Sequence, residues 1–149
     1  MDSHQLLQKK IAYQRLANKI KKYSGFIVIE IIDNQSKVVS KYENLYCKIL
    51  KNSCPVYASQ KYSKNFDENF EWLTTILPIQ NNNEWILALS ECYGWHIHLK
   101  IIDLRKTMYE LWWNQNTSIT LVDLSNKAVI DIGVLETNID VRMISFSNN

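Results

Sequence analysis

Glycine and proline are scarce: the 149 residues include 3 Gly and 2 Pro. That nearly excludes a glycine-rich phosphate cradle, in which backbone N–H groups must close on the ligand. It also leaves little linker, so residues 1–149 are expected to form a single domain. The 3 cysteines, Cys47, Cys54 and Cys92, are odd in number and none sits in a C-x-x-C pair. Reduced thiols of a cytoplasmic protein are the expectation, rather than a disulfide framework. The longest apolar run, Phe26 to Ile32, contains Glu30 and is far too short to span a bilayer. The lysine-rich start lacks the apolar stretch of a secretory signal, so no membrane contact is expected. G-x-S-x-G and H-E-x-x-H are also missing, and with them the commonest hydrolase signatures.

What is present begins with a core: 46% hydrophobic residues suffice for one. The net charge of +2 conceals an asymmetry. Residues 1–64 hold 12 Lys/Arg against 4 Asp/Glu, a balance of +8, and residues 65–149 hold 5 against 11, a balance of −6. The two halves therefore offer different surfaces to partners.

Asp2 to Tyr23 is expected to be a helix, with Asp2 and Gln5 placed for a capping box. Leu6, Tyr13, Leu16, Ile20 and Tyr23 recur at helical spacing, and Gly25 stands where a left-handed terminator is wanted. The other face carries Lys9, Lys10, Arg15, Lys19, Lys21 and Lys22. "FIVIEIID" is a strand, and residues 37–50 are expected to return as a second strand. "KNSCPVYASQKYSKN" is a polar connection. Asn65 caps a second short helix marked by Phe66, Phe70, Leu73 and Leu77, with Pro78 beyond its end. From Glu84 onward the pattern is β: "EWILALS" and "WHIHLKIID" flank a turn at Glu91–Gly94. "TMYELWW" is expected to be a strand, although Leu104, Met108 and Leu111 also fit a helix. "SITLVDL", "AVIDIGVLE" and "IDVRMISF" complete a meander. The fold class is α+β: an antiparallel sheet of six to eight strands, with the N-terminal helix and a second short helix on one face.

Candidate chemistry centres on "WHIHLK". On a strand, His96, His98 and Lys100 share one face, the two imidazoles about 7 Å apart. A metal would need a third ligand, for which only dispersed carboxylates such as Asp103 or Asp131 offer themselves, and Lys100 would repel a cation. The pair is expected to be strand surface, with no metal or cofactor bound. Cys92 with His96 or His98 suits a thiol–imidazole pair less well than an isolated half-buried thiol. Asp123 and Asp131, on neighbouring strands, suit the polar phase of half-buried strands better than a catalytic carboxylate pair. No catalytic residue is assigned, and a non-enzymatic protein is expected.

Two surfaces remain. The basic helix, through Lys9, Lys10, Lys21 and Lys22, has the electrostatic footprint of a weak nucleic-acid binder. In the acidic half, Asp103, Tyr109, Glu110, Trp112, Glu136 and Asp140 form a list of aromatic anchors and carboxylates suited to docking a protein partner.

The asparagine-rich "QNNNEW" and "WWNQNTS" stretches and the acidic, aromatic segment from Glu84 to Asp140 resemble the small immunity proteins of contact-dependent inhibition and other bacterial polymorphic-toxin systems. The resemblance implies a cytoplasmic domain without catalytic motifs that covers the active site of a cognate toxin, often a nuclease. The +8 N-terminal portion departs from that pattern and points to a partner with an acidic patch, or to a separate role for the helix.

Overall fold

The computed structural model describes residues 1–89 and 93–147. Its first element is the expected helix, α1 (Ser3–Ile20), closed by the expected capping box. Asp2 accepts from the Gln5 N–H at 2.8 Å, and Gln5 accepts from the Asp2 N–H at 3.1 Å. The buried stripe differs from the expected one. Ala12 and Leu16 are buried, whereas Leu6, Leu7, Ile11 and Tyr13 are exposed. Lys9 takes the buried position nearer the N-terminus, its methylenes lying against Gly94. Nor is Gly25 a left-handed terminator. A Cβ there would stand 2.5 Å from the backbone nitrogen of Thr107, so the glycine permits a close approach between two segments.

Strand β1 (Phe26–Asp33) follows as expected. Residues 37–50 are helical, which corrects the expectation of a second strand. They form α2 (Lys37–Ser40) and α3 (Glu43–Ile49). The Ser36 hydroxyl accepts from the Val39 N–H at 3.3 Å, and Val39, Tyr42 and Ile49 are buried at i, i+3 and i+10. The polar connection contains a short edge strand, β2 (Ala58–Lys61). Helix α4 (Phe66–Ile76) is capped by Asn65 as expected, through the Asp67 N–H at 2.9 Å.

Strands β3 (Glu84–Leu87) and β4 (Trp95–Ile101) form the anticipated pair. Half of the expected Glu91–Gly94 turn, Glu91 and Cys92, lies outside the described residues; Gly94 has a φ of 87°. The next segment again overturns an expected strand. Residues 104–113 form α5 (Leu104–Met108), continuing directly into a π-helical turn (Tyr109–Trp113). Asp103 caps α5 by accepting from the Lys106 N–H at 3.1 Å. Leu104, Thr107, Met108, Leu111 and Trp112 are buried at i, i+3, i+4, i+7 and i+8, a helical stripe. Strands β5 (Ile119–Asp123), β6 (Ala128–Val134) and β7 (Asn138–Ser145) close the chain as a meander.

The described strands form one seven-stranded antiparallel sheet in the order β1-β4-β3-β5-β6-β7-β2. The fold is α+β, as anticipated, but helices cover both faces rather than one. On the first face, α1, α4, α5 and the π turn bury Leu16, Leu73, Met108 and Trp112 against Trp85, Leu99 and Ile130. On the second, α2 and α3 pack Val39, Tyr42 and Ile49 against Ile32, Ile86, Val122 and Val129. That double cover explains why β6 is buried at consecutive positions rather than alternate ones. Edge strand β1 carries a bulge between Val28 and Glu30. Among the described residues, no helix is long and apolar enough to cross a membrane.

Candidate binding groove

Helix α1 and the π turn do not close on each other. Between them lies a groove of about 780 Å³, lined by Arg15, Lys22, Lys106, Tyr109, Glu110 and Gln115, among others. Its cations come from two elements, Arg15, Lys19 and Lys22 from α1 and its C-terminal end and Lys106 from α5. Arg15, Lys22 and Lys106 form no salt bridge among the described residues. The lone carboxylate among the described lining residues is already engaged: Glu110 accepts from the Ser24 N–H at 3.2 Å and the Gly25 N–H at 2.8 Å, tying the π turn to the end of α1. Tyr109 is 44% exposed, with the edge of one ring meeting the face of the other at Phe66, 5.3 Å between centres. The groove is therefore cationic with an aromatic wall.

It adjoins a gap in the sheet. Among the described residues, strands β3 and β5 pair only at Trp85–Asp123 and Ile86–Val122. The same register would set Ala88 opposite Thr120, but the pairing stops short. The resulting space of about 350 Å³ shares Lys19, Tyr23 and Gln115 with the groove. Leu87, Leu111 and Ile119 give it a buried apolar floor, and Tyr46, His96 and Thr120 give it polar walls. The Tyr46 hydroxyl donates to Ile86 O at 3.2 Å, and burial pushes its pKa well above the usual phenol value.

The residues anticipated for partner binding do not share one surface. Tyr109 and Glu110 line the groove, while Asp103 is exposed at the cap of α5. Trp112, expected as an exposed anchor, is 1% exposed and belongs to the core. Its error follows from reading this segment as a strand. Its neighbour Trp113 is half-buried and stacks on Tyr62 at 5.6 Å. Tyr62 donates its backbone N–H to Thr137 O at 2.8 Å, which brings the exposed Glu136 turn near that aromatic end. Asp140 alternates with the buried Ile139 and Val141, so it points to the other face of the sheet, where Ser59 donates to it at 2.6 Å.

The basic helix changes as well. Lys10, Lys21 and Lys22 are exposed, but Lys9 is removed from the anticipated nucleic-acid surface. Lys9 is buried, with Nζ 2.5 Å from Asp33 Oδ2 and 5.0 Å from the centre of the Trp95 ring. Trp95 in turn donates its indole N–H to Lys9 O at 3.0 Å.

The histidines have separate partners. His98 Nε2 lies 2.8 Å from Glu84, and His96 Nδ1 lies 2.5 Å from Asn34 Oδ1. Neither is open strand surface: both are half-buried, and Tyr46 from α3 stands edge-on over His96 at 6.1 Å. Burial lowers the His96 pKa and favours the neutral ring. Asp123 and Asp131 lie on different cross-strand rungs, so they make no carboxylate pair. Asp123 accepts from the Ser125 and Asn126 N–H groups in the β5–β6 turn, and Asp131 accepts from the Thr120 hydroxyl at 2.7 Å. Burial raises both pKa values. The described residues contain no cluster of three or more His, Cys, Asp or Glu with metal-holding geometry.

The groove was only partly readable beforehand. Arg15 and Lys22 stood out on the basic helix, but nothing in the pattern placed Lys106, Gln115 or the β3–β5 gap beside them. Compared with protein-family models, curated proteins and solved structures, the chain matches none.

Proposed function

We propose that the protein is a non-enzymatic, cytoplasmic binding module: an immunity protein that neutralises a cognate toxin, of the nuclease kind, by covering its active site. The observation that carries this reading is the groove rim, where the exposed Tyr109 ring stands among Arg15, Lys22 and Lys106, cations without salt-bridge partners among the described residues. An aromatic anchor ringed by charges of one sign provides a desolvated centre and a steering field. The sign is opposite to the acidic surface anticipated from composition. The partner face that fits is therefore rich in carboxylates. The non-enzymatic part is supported by the dispersal of the titratable groups: His96, His98, Asp123 and Asp131 each serve a separate local bond.

The test is co-expression with the C-terminal domain of a large secreted protein encoded next to this chain. Rescue of growth and co-purification support the reading, and Tyr109→Ala combined with Lys22→Glu and Lys106→Glu should abolish both in a folded protein. If the wild-type chain neither rescues growth nor co-purifies, the immunity reading is wrong. Nucleic-acid binding is the second reading, favoured by Lys10 and Lys21, which are exposed and share one side of α1. It predicts affinity that falls steeply with salt and with charge reversal at Lys10, Lys21 and Lys22.

A further inference from the structure

We infer that the groove and the β3–β5 gap together form a site for a free nucleoside polyphosphate, with the base in the gap and the phosphates at the cationic mouth. This goes beyond the partner reading and does not depend on it. The two spaces adjoin at Lys19, Tyr23 and Gln115, which line both, and their chemistry differs from one to the other. The inner part has an apolar floor of Leu87, Leu111 and Ile119, suited to the faces of a planar heterocycle. Its walls carry groups able to read the edge of a base. His96 Nδ1 donates to Asn34 Oδ1 at 2.5 Å, which leaves Nε2 an acceptor in the neutral ring. The Tyr46 oxygen, already donating its proton to Ile86 O, retains acceptor capacity.

The outer part has the opposite character. Arg15, Lys22 and Lys106 converge from two elements on one space, a charge excess among the described residues that the engaged Glu110 does not cancel. Guanidinium and ammonium groups together suit the several oxygens of a polyphosphate. A small ligand fits better than a nucleic-acid strand. Strand binding needs an open row of stacking rings, whereas here a single gap lies behind the cations.

The experiment uses the whole chain, with calorimetric titration and thermal shift. The probes are ATP, GTP, CTP and UTP, inorganic triphosphate, and a short single-stranded RNA. At least one nucleoside triphosphate should bind with micromolar affinity, about tenfold tighter than inorganic triphosphate. Arg15→Ala with Lys22→Ala should weaken nucleotide and triphosphate alike. Ala88→Trp, at an exposed position on the gap wall, should remove only the preference for the nucleotide; Thr117→Trp provides the same block should the first variant misfold. Equal binding of nucleotide and inorganic triphosphate, unaltered by both tryptophans, would reduce the site to a charged surface and overturn the proposal. So would RNA binding about tenfold tighter than any nucleotide, or no response to any nucleotide at millimolar concentration.

Discussion

Lys9 and Asp33 form an ion pair, Nζ to Oδ2 2.5 Å, that joins the first half of α1 to the end of β1. The lysine holds Asp33 below the usual carboxylate range, chiefly through that hydrogen bond, with further help from the Gln35 N–H. A carboxylate with a depressed folded pKa contributes stability above its unfolded value. That stability is lost as pH falls through the folded value. Lys9→Met keeps the packing and removes the partner. The variant should lose at most about 1 kcal/mol at neutral pH, since Asp33 is partly exposed. The difference from wild type should shrink on acidification below about pH 4 in urea melts. A difference independent of pH would show that the pair adds nothing.

Two leucines of α1 discriminate between the expected and observed packing. Leu16 is fully buried, while Leu6 is 47% exposed. Leu16→Asp should cost about 3 kcal/mol or more, because it buries an unpaired carboxylate. Leu6→Asp should change stability by no more than about 0.5 kcal/mol. Comparable losses in thermal melts would place both side chains in the core and contradict this orientation of the helix.

Gly25 and Gly133 form a matched comparison. A methyl at Gly25 meets Thr107 N at 2.5 Å and Thr107 Oγ1 at 2.7 Å, and Gly25 O also accepts from the Ile102 and Asp103 N–H groups. Gly25→Ala should therefore displace α5 and destabilise by about 2 kcal/mol. At Gly133 the nearest atom is 3.5 Å away, an ordinary contact. Gly133→Ala should be neutral or stabilise by up to about 1 kcal/mol through the unfolded chain. The ranking of the two denaturation midpoints is the measurement, and reversal would refute the close approach.

Trp112 and Tyr109 separate folding from binding. Trp112 is buried and its indole N–H has no hydrogen-bond partner among the described residues. Trp112→Ala should cost about 3–5 kcal/mol, while Trp112→Phe should be much milder, because it also removes an unsatisfied donor. Tyr109→Ala should cost no more than about 1 kcal/mol in stability, the edge-on contact with Phe66 included. If the proposed partner surface is right, it should nonetheless cost about 2 kcal/mol or more in partner affinity. Stable Tyr109→Ala protein with unaltered partner affinity would remove Tyr109 from the interface.

The parts of the fold legible in the sequence were those with a local chemical marker. The Asp2–Gln5 capping box and the Asn65 cap locate α1 and α4, and turn residues delimit β5 to β7. The segments misread as strands are short helices, α2 and α3 with 4 and 7 residues and α5 with 5. At that length helicity depends on burial against the sheet, which no local pattern reports. The site was obscured for the same reason. Reading residues 104–113 as a strand turned Trp112 outward and hid the groove that Tyr109 and Lys22 both line. Lys9 lies 7 residues before Leu16 and shares its side of the helix, but a lysine scores as polar until an Asp33 and a Trp95 are found beneath it.

The bulge in β1 also limits how these molecules meet one another. The sheet ends at β1 on one side and β2 on the other, and an exposed edge can recruit a strand from a second chain. At β1 the register break beside Glu30 interrupts the row of donors and acceptors that an incoming strand would need. At β2 the edge is 4 residues long and ends in Lys61, a short and charged template. Both margins thus discourage fibre-like stacking, a safeguard against aggregation for a chain whose β1 leaves Ile27 and Ile29 about half exposed.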